Sequence, residues 1–159
     1  MAKPSVYIET TIVSYLTARP SRDLYMLAHQ GITRDWWEQC GGNFDLFTSN
    51  VVIEEASAGD SRAAAERLAS LDGILILRFE ARAIGLAAVI ADSLQLPPRA
   101  KLDAAHVAIA AVHNLRYLLT WNCRHLANAF LDEKIQKACA KSGYDSPRIV
   151  TPDLLMGAP

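Results

Sequence analysis

Residues 99–122, R-A-K-L-D-A-A-H-V-A-I-A-A-V-H-N-L-R-Y-L-L-T-W-N, decide the fold because they combine one helix with one buried strand. Pro97 and Pro98 cannot lie inside a helix, so the helix begins after them, and residues 104–112 are an apolar run rich in strong helix formers. Residues 117–120 form a short apolar run with β-forming side chains. This run predicts a strand that is covered on both faces.

Two polar residues lie at the ends of these elements. Asp103 is in the first turn of the predicted helix, and Asn122 is at the carboxyl end of the predicted strand. A buried charge needs partners, so a carboxylate and an amide delivered to one place indicate a site rather than a hydrophobic core.

The rest of the chain alternates short apolar runs with helical patterns. Residues 5–8 predict a strand that ends at Glu9, and further strands are predicted over residues 44–48, 74–77 and 148–151. Helical spacing and capping residues predict helices over 12–17, 21–39, 51–57, 60–71, 80–94 and 131–142. The expected caps include Thr10 or Thr11 for the first of these helices and Ser49 for the helix over 51–57. The alternation predicts an α/β fold with a parallel central sheet of four to five strands and helices on both faces.

Length and composition limit the class of protein. A chain of 159 residues predicts a single domain, residues 1–159, large enough to bury a core. No apolar run reaches the ~18 residues of a membrane span and no signal peptide is evident, so we expect a cytoplasmic location and no membrane partner.

The net charge of −1 excludes a global basic field, so a nucleic acid would have to be held locally. The three cysteines, Cys40, Cys123 and Cys139, have no C-x-x-C spacing and are predicted to be free thiols.

Four polar residues are predicted to converge: Glu9, Glu55, Asp103 and Asn122. Parallel sheets collect ligands at the carboxyl ends of their strands, close to the point where strand order reverses. Three gathered carboxylates repel one another unless they are protonated, paired or neutralised by a cation. Oxygen ligands without His or Cys select Mg²⁺ or Mn²⁺, and such an ion can activate water for attack on a phosphodiester.

Four motifs at these positions carry a family resemblance. They are V-Y-I-E-T-T-I-V-S-Y-L (6–16), T-S-N-V-V-I-E-E-A (48–56), L-D-A-A-H-V-A-I-A-A (102–111) and L-L-T-W-N-C-R-H-L (118–126). In this order and at these spacings they resemble PIN-domain proteins, the group that includes the VapC-type toxin ribonucleases of type II toxin–antitoxin systems. The similarity covers nearly the whole chain.

The resemblance implies a PIN-like fold and a Mg²⁺- or Mn²⁺-dependent endoribonuclease that hydrolyses RNA phosphodiesters. It also implies a homodimer and a cognate antitoxin protein. Glu9, Glu55, Asp103 and Asn122 occupy the family's four metal-binding and catalytic places. The family's spacing from Ser49 selects Glu55, and Glu54 is the alternative register.

Three positions depart from the family pattern. Glu9 replaces the usual Asp, Asn122 is neutral, and His125 stands where many relatives have a further acid. These departures keep a second function open, a catalytically decayed module that binds RNA or a protein partner. A different Mg²⁺ enzyme on a similar sheet is disfavoured because no D-x-D, P-loop or G-x-G-x-x-G sequence is present.

Each site residue also has a plain structural alternative. Glu9 could cap the following helix, Asp103 could complement a helix dipole, and Asn122 could be a turn residue. The glutamates at 54 and 55 could form a solvated face. His106 lies at the (i, i+3) spacing from Asp103 and could hydrogen-bond Asp103 or orient a ligand, or it could be a satisfied interior residue. Trp121 could stack on a base or lie in the core. Five basic residues flank the expected site and could hold phosphates: Arg19, Arg22, Arg99, Lys101 and Arg124.

Overall fold

A computed structural model describes residues 2–157 of the chain. The strands are β1 (Ser5–Ile8), β2 (Asp45–Ser49), β3 (Leu75–Leu77), β4 (Tyr117–Leu119) and β5 (Arg148–Val150). The α-helices are α1 (Thr10–Thr17), α2 (Leu24–Asp35), α3 (Asn50–Ala56), α4 (Ser61–Ser70), α5 (Ala81–Leu94), α6 (Lys101–Val112) and α7 (Ala129–Lys141). Short 3₁₀ turns cover Gly41–Asn43, Pro98–Ala100 and Pro152–Leu155.

The five strands form one parallel sheet in the order β3-β2-β1-β4-β5. The chain therefore moves in one direction from β1 to β3 and crosses back to β4 and β5. Right-handed crossovers place the helices of these two halves on opposite faces of the sheet. The packing agrees, because α1 contacts α2, α3 and α4, whereas α5 contacts α6 and α7. The predicted α/β fold with a parallel central sheet is confirmed.

The core lies around β1 and β4, the two strands at the reversal of strand order. Val6, Tyr7 and Ile8 of β1 and Leu118 and Leu119 of β4 have no exposed surface. Both strands are bonded on both sides and carry the continuous apolar sequence expected for central parallel strands. Their carboxyl ends open at one edge of the sheet, where the predicted site residues follow.

The expectation that residues 74–77 form a buried strand is wrong for two of its residues. Leu75 is 56% exposed and Ile76 is 51% exposed, while Leu77 is buried. The reason is position, because β3 is an edge strand that pairs only with β2. An apolar run of this length does not distinguish a central strand from an edge strand.

The predicted helix over residues 21–39 begins later than expected and changes character at its end. Asp23 is the N-cap, and its side chain accepts a hydrogen bond of 2.9 Å from the Met26 amide. The helix runs without a break past Gly31 and widens into a π-helix over Trp36–Cys40. The wider turn lets Trp36 be fully buried while Trp37 also packs against the core.

Two expectations from composition concern the cysteines and membrane-spanning helices. The three cysteines are free, with Cys40 and Cys139 buried and Cys123 exposed. Within residues 2–157, the longest apolar helix falls short of what is needed to cross a membrane.

Candidate functional site

A fully buried histidine on α6 lies at the centre of the site. The Nδ1 atom of His106 is 2.7 Å from the Tyr7 hydroxyl, and its Nε2 atom is 2.7 Å from Oε1 of Glu55. The Tyr7 hydroxyl is also 2.7 Å from Oγ of Ser49. With both ring nitrogens protonated, His106 donates to Tyr7 and to Glu55, and Tyr7 donates to Ser49. The interior-residue alternative holds for this ring, but its acidic partner is Glu55 rather than Asp103.

Glu55 enters the site from α3, which begins directly after β2. Ser49 caps this helix by accepting a hydrogen bond of 3.2 Å from the Val52 amide. The Oε1 atom of Glu55 also accepts a hydrogen bond of 2.7 Å from Thr10 Oγ1. Its neighbour Glu54 is exposed to solvent. Of the two registers, the one with Glu55 therefore places a carboxylate at the site.

Glu9 follows β1 and is 4% exposed. Its Oε2 atom accepts hydrogen bonds of 2.9 Å from the Thr11 amide and 2.9 Å from Thr120 Oγ1, and a further one from the Thr11 hydroxyl. The Thr11 amide bond makes Glu9, and not Thr10 or Thr11, the N-cap of α1. Glu9 therefore caps α1 and also belongs to the site, because its side chain lies between the ends of β1 and β4.

Asp103 and Asn122 meet through a second histidine. The Oδ2 atom of Asp103 is 2.8 Å from Nδ1 of His125. The Oδ1 atom of Asn122 accepts a hydrogen bond of 3.0 Å from the His125 amide, and its main-chain oxygen accepts from the Leu126 and Ala127 amides. Asn122 therefore organises the turn after β4, and its hydrogen bond to His125 links it to Asp103.

The electrostatics tie the three acids to His106. Burial lowers the pKa of His106, but the Glu55 hydrogen bond and the charges of Glu9, Glu55 and Asp103 raise it above its ordinary value overall. Burial raises the pKa of Glu55, whereas the hydrogen bond and charge of His106 lower it, and the net shift is downward. The raised pKa of His106 and the lowered pKa of Glu55 both favour the charged form of the side chain. When the ring is protonated, its positive charge offsets the negative charge of Glu55.

The donor chemistry of the cluster fits a hard divalent ion. Glu9, Glu55 and Asp103 each use one carboxylate oxygen in the hydrogen bonds above, and the other oxygen of each accepts none from residues 2–157. Histidines that bond to carboxylates are common partners of metal-binding acids. Within the described residues, however, no three His, Cys, Asp or Glu side chains are already arranged as a coordination shell. An ion would therefore draw these acids closer together.

A first prediction concerns Glu9 without divalent ions. Burial raises the pKa of Glu9, although the nearby charge of His106 and the Thr11 and Thr120 hydrogen bonds lower it. A raised folded-state pKa gives stability that is present below the unfolded-state pKa and lost as pH rises through the folded value. We expect Glu9→Gln to raise the melting temperature at pH 8 by about 2–4 °C, and the gain to vanish below about pH 4.

Thermal melts of both proteins in EDTA across this pH range test the prediction, with the exposed Glu38→Gln as the control. A lower melting temperature for Glu9→Gln at pH 8 would show that the ionised carboxylate stabilises α1 more than its burial costs.

Several residues of the site were missed in the sequence. They carry hydroxyl groups that bond to the acids, to His106 or to the Tyr7 hydroxyl: Tyr7, Thr10, Thr11, Ser49 and Thr120. One signal was available, since a tyrosine inside a central strand needs a buried partner for its hydroxyl. The direction of the His106 ring could not be read from helical spacing, because Tyr7 and Glu55 are far from it in sequence.

The flanking residues divide into covered and exposed groups. Trp121 is only 8% exposed, and its indole N–H donates to Thr33 Oγ1 at 2.7 Å. Its ring stacks on His29, so the core alternative describes Trp121 better than direct stacking on a base. The five flanking basic residues are all exposed: Arg19, Arg22, Arg99, Lys101 and Arg124.

No protein-family model matches the sequence, and no curated protein matches it. Similar solved structures include the following two. One is VapBC2 from Rickettsia felis bound to a DNA fragment from its promoter, with 15% identity, a TM-score of 0.59 and coverage of 92% of this chain and 98% of that chain. The other is VapC20 of Mycobacterium tuberculosis, a sarcin–ricin-loop-cleaving toxin, with 17% identity, a TM-score of 0.54 and coverage of 76% and 92%. The chain has the PIN-like fold of these VapC toxins, as predicted.

Proposed function

We propose that this chain is a metal-dependent endoribonuclease and the toxin of a type II toxin–antitoxin system. The observation that carries the proposal is the pairing of two acids with histidines, Glu55 with the buried His106 and Asp103 with His125, while the buried Glu9 lies between the ends of β1 and β4. The PIN-like fold shared with an RNA-cleaving toxin supports it. Acids that are at least partly buried and paired with histidines are more typical of a functional site than of a purely structural core.

In this proposal Glu9, Glu55 and Asp103 hold Mg²⁺ or Mn²⁺, and Asn122 completes the shell directly or through water. The ion would supply charge neutralisation and a water of lowered pKa for attack on the phosphodiester. His106 holds Glu55 in position, and His125 holds Asp103, through their 2.7 Å and 2.8 Å contacts. Thr11 and Thr120 fix Glu9 in the same way.

The direct test uses the purified chain and structured RNA with Mg²⁺ or Mn²⁺. We expect divalent-dependent cleavage that EDTA stops and that added Mn²⁺ restores. Isothermal titration calorimetry of the same protein should show divalent binding in the millimolar range or tighter. Absence of both cleavage and binding would favour the alternative, a decayed module that binds RNA or a protein partner.

A second prediction separates the metal from the fold. Asp103→Asn keeps a side chain that can accept from His125 but removes one negative charge, so we expect divalent affinity to fall about 10- to 100-fold. The control is Asp132→Asn on α7, where Asp132 accepts a hydrogen bond from Gln136 and from none of the four proposed ligands. Equal affinities of Asp103→Asn and the wild-type chain would remove Asp103 from the proposed metal site.

The same proposal includes protein partners. A VapBC complex is among the structures that share this fold. We propose a cognate antitoxin encoded beside this chain and a homodimer of the toxin. Co-expression with the product of the neighbouring open reading frame, followed by purification and sedimentation of the complex, tests both.

A further inference from the structure

Four aromatic rings form a continuous cluster beside the acids, which we call the aromatic stack: Tyr15, Tyr25, His29 and Trp121. The ring centroids of His29 and Trp121 are 3.9 Å apart with an interplanar angle of 13°. Tyr15 lies nearly parallel to Trp121 at 6.1 Å, and Tyr25 contacts His29 at 4.1 Å with a tilt of 59°. The rings come from α1, from α2 and from the segment after β4, so tertiary folding assembles them.

The inner rings are held in place and the outermost ring is open. Thr33 accepts the Trp121 indole N–H at 2.7 Å and donates its own hydroxyl to the His29 carbonyl at 2.6 Å. Trp121 is buried, whereas Tyr25 at the end of the stack is 67% exposed. A rigid stack that ends in an exposed ring offers a flat surface at a low cost in side-chain entropy.

One residue, Thr11, links the aromatic stack to Glu9 through hydrogen bonds. The Trp121 main-chain amide donates to Thr11 Oγ1 at 2.8 Å, and the same Thr11 hydroxyl donates to Glu9. Burial raises the pKa of Tyr15, and the charges of Cys123, Tyr25 and Glu9 raise it further, which agrees with this closeness. The inner end of the aromatic stack, Trp121, is therefore linked to Glu9, and Tyr25 lies at its outer end beyond His29.

The segment that leads into α2 adds positive charge. Arg19 and Arg22 are exposed, and neither forms an ion pair with a residue in the described range 2–157. The buried Gln30 fixes their loop, because its Oε1 accepts from the Ser21 amide at 2.9 Å and its Nε2 donates to the Arg19 carbonyl at 3.1 Å. Gln30 directly follows His29 in α2, so the same part of this helix holds both the arginine loop and the aromatic stack.

We propose that Tyr25 is the stacking platform for an unpaired nucleobase of the RNA, and that Arg19 and Arg22 bind the neighbouring phosphates. Every base has a π-face, so an exposed aromatic ring next to free cations matches single-stranded nucleic acid. A polyanion also accounts for the unpaired arginines, which an apolar partner would not. This inference rests on the proposed function, because it names the part of the substrate that the same site recognises.

The test measures binding separately from cleavage. A fluorescein-labelled single-stranded RNA and an abasic oligonucleotide of the same length are titrated in EDTA with the wild-type chain and with Tyr25→Ala. Tyr25→Phe keeps the ring, and Phe130→Ala removes an aromatic side chain that is 91% exposed on α7. Tyr25 is a surface residue, and melting curves of all variants check their folding.

We expect Tyr25→Ala to weaken binding of the base-containing RNA about fivefold or more and to leave the abasic oligonucleotide unchanged. Tyr25→Phe and Phe130→Ala should bind like the wild-type chain. Arg22→Ala should weaken both oligonucleotides equally and reduce the salt dependence. Unchanged RNA affinity in Tyr25→Ala, or equal losses for both oligonucleotides, overturns the platform.

Two further readouts separate this inference from the proposed function. If the wild-type chain binds RNA in a base-dependent manner that Tyr25→Ala removes but cleaves none in Mn²⁺, the nuclease fails and the platform stands. If it cleaves RNA and Tyr25→Ala leaves KM unchanged, the platform alone fails. If Tyr25→Ala instead dissociates a dimer in sedimentation and leaves RNA binding intact, this face belongs to a second copy of the chain, which also overturns the platform.

Discussion

Glu55→Gln is expected to reduce RNA cleavage about 100-fold or more, while Glu54→Gln leaves it unchanged. The two glutamates are adjacent, but Glu55 bonds to His106 and Thr10 at 2.7 Å and Glu54 is exposed. Gln keeps the size of the side chain and can still accept both hydrogen bonds. It removes the negative charge that we propose holds the divalent ion, and the loss of a group bound to the metal costs at least as much as the loss of an outer partner.

The pair is a matched control for the register of α3. Single-turnover cleavage with saturating Mn²⁺ measures the effect, and melting curves check that both variants fold. Equal rates for Glu55→Gln and Glu54→Gln would show that the helix does not contribute an essential carboxylate. Loss of activity only in Glu54→Gln would assign the catalytic place to the other register.

His106→Ala is expected to lower the free energy of unfolding by about 2–4 kcal/mol, the sum of a buried cavity and lost hydrogen bonds to charged or polar partners. The ring is fully buried and bonds to Tyr7 and Glu55 at 2.7 Å each. Without it, Glu9 and Glu55 lose a neighbour whose charge lowers the pKa of both carboxyl groups. Urea denaturation monitored by circular dichroism measures the change.

His113→Ala provides the comparison on the same helix. His113 is exposed at the end of α6, where its Nδ1 contacts the Ile109 carbonyl at 2.9 Å. Its removal should change stability by about 0.5 kcal/mol or less, as for most surface substitutions. Equal losses of stability in the two variants would show that the hydrogen bonds of the buried His106 ring contribute no more to the free energy of unfolding than the surface contact of His113.

Sequence patterns predicted the central part of the fold well. Residues 5–8 and the strand before Asn122 lie where their apolar runs placed them, and Ser49 caps α3 as expected. These features are local, because a cap or a short buried strand is encoded by neighbouring residues. The exposure of β3 was not predictable in this way, since it depends on which strand lies at the edge.

The sequence indicated which acids are candidates for the site, but it did not indicate which side chains hydrogen-bond to them. Strand ends and helix starts predicted that Glu9, Glu55 and Asp103 would lie together. In the structure Glu55 bonds to His106 and Asp103 bonds to His125, and within residues 2–157 no three His, Cys, Asp or Glu side chains form a coordination shell. Whether they bind metal stays a prediction. Asn122 was placed in the cluster, but its amide oxygen accepts from the His125 amide in a turn. Such pairings depend on side-chain directions across elements, which spacing along one element does not define.

The Thr11 hydroxyl has a consequence for how the two proposed ligands influence each other. It accepts from the Trp121 amide and donates to Glu9, so it is shared between the aromatic stack and the acid cluster. A ligand that shifts one partner alters the bond to the other, and thermodynamic linkage makes such an effect mutual. Divalent ion and RNA are therefore expected to change each other's affinity by the same factor, and Thr11→Val should bring that factor closer to one.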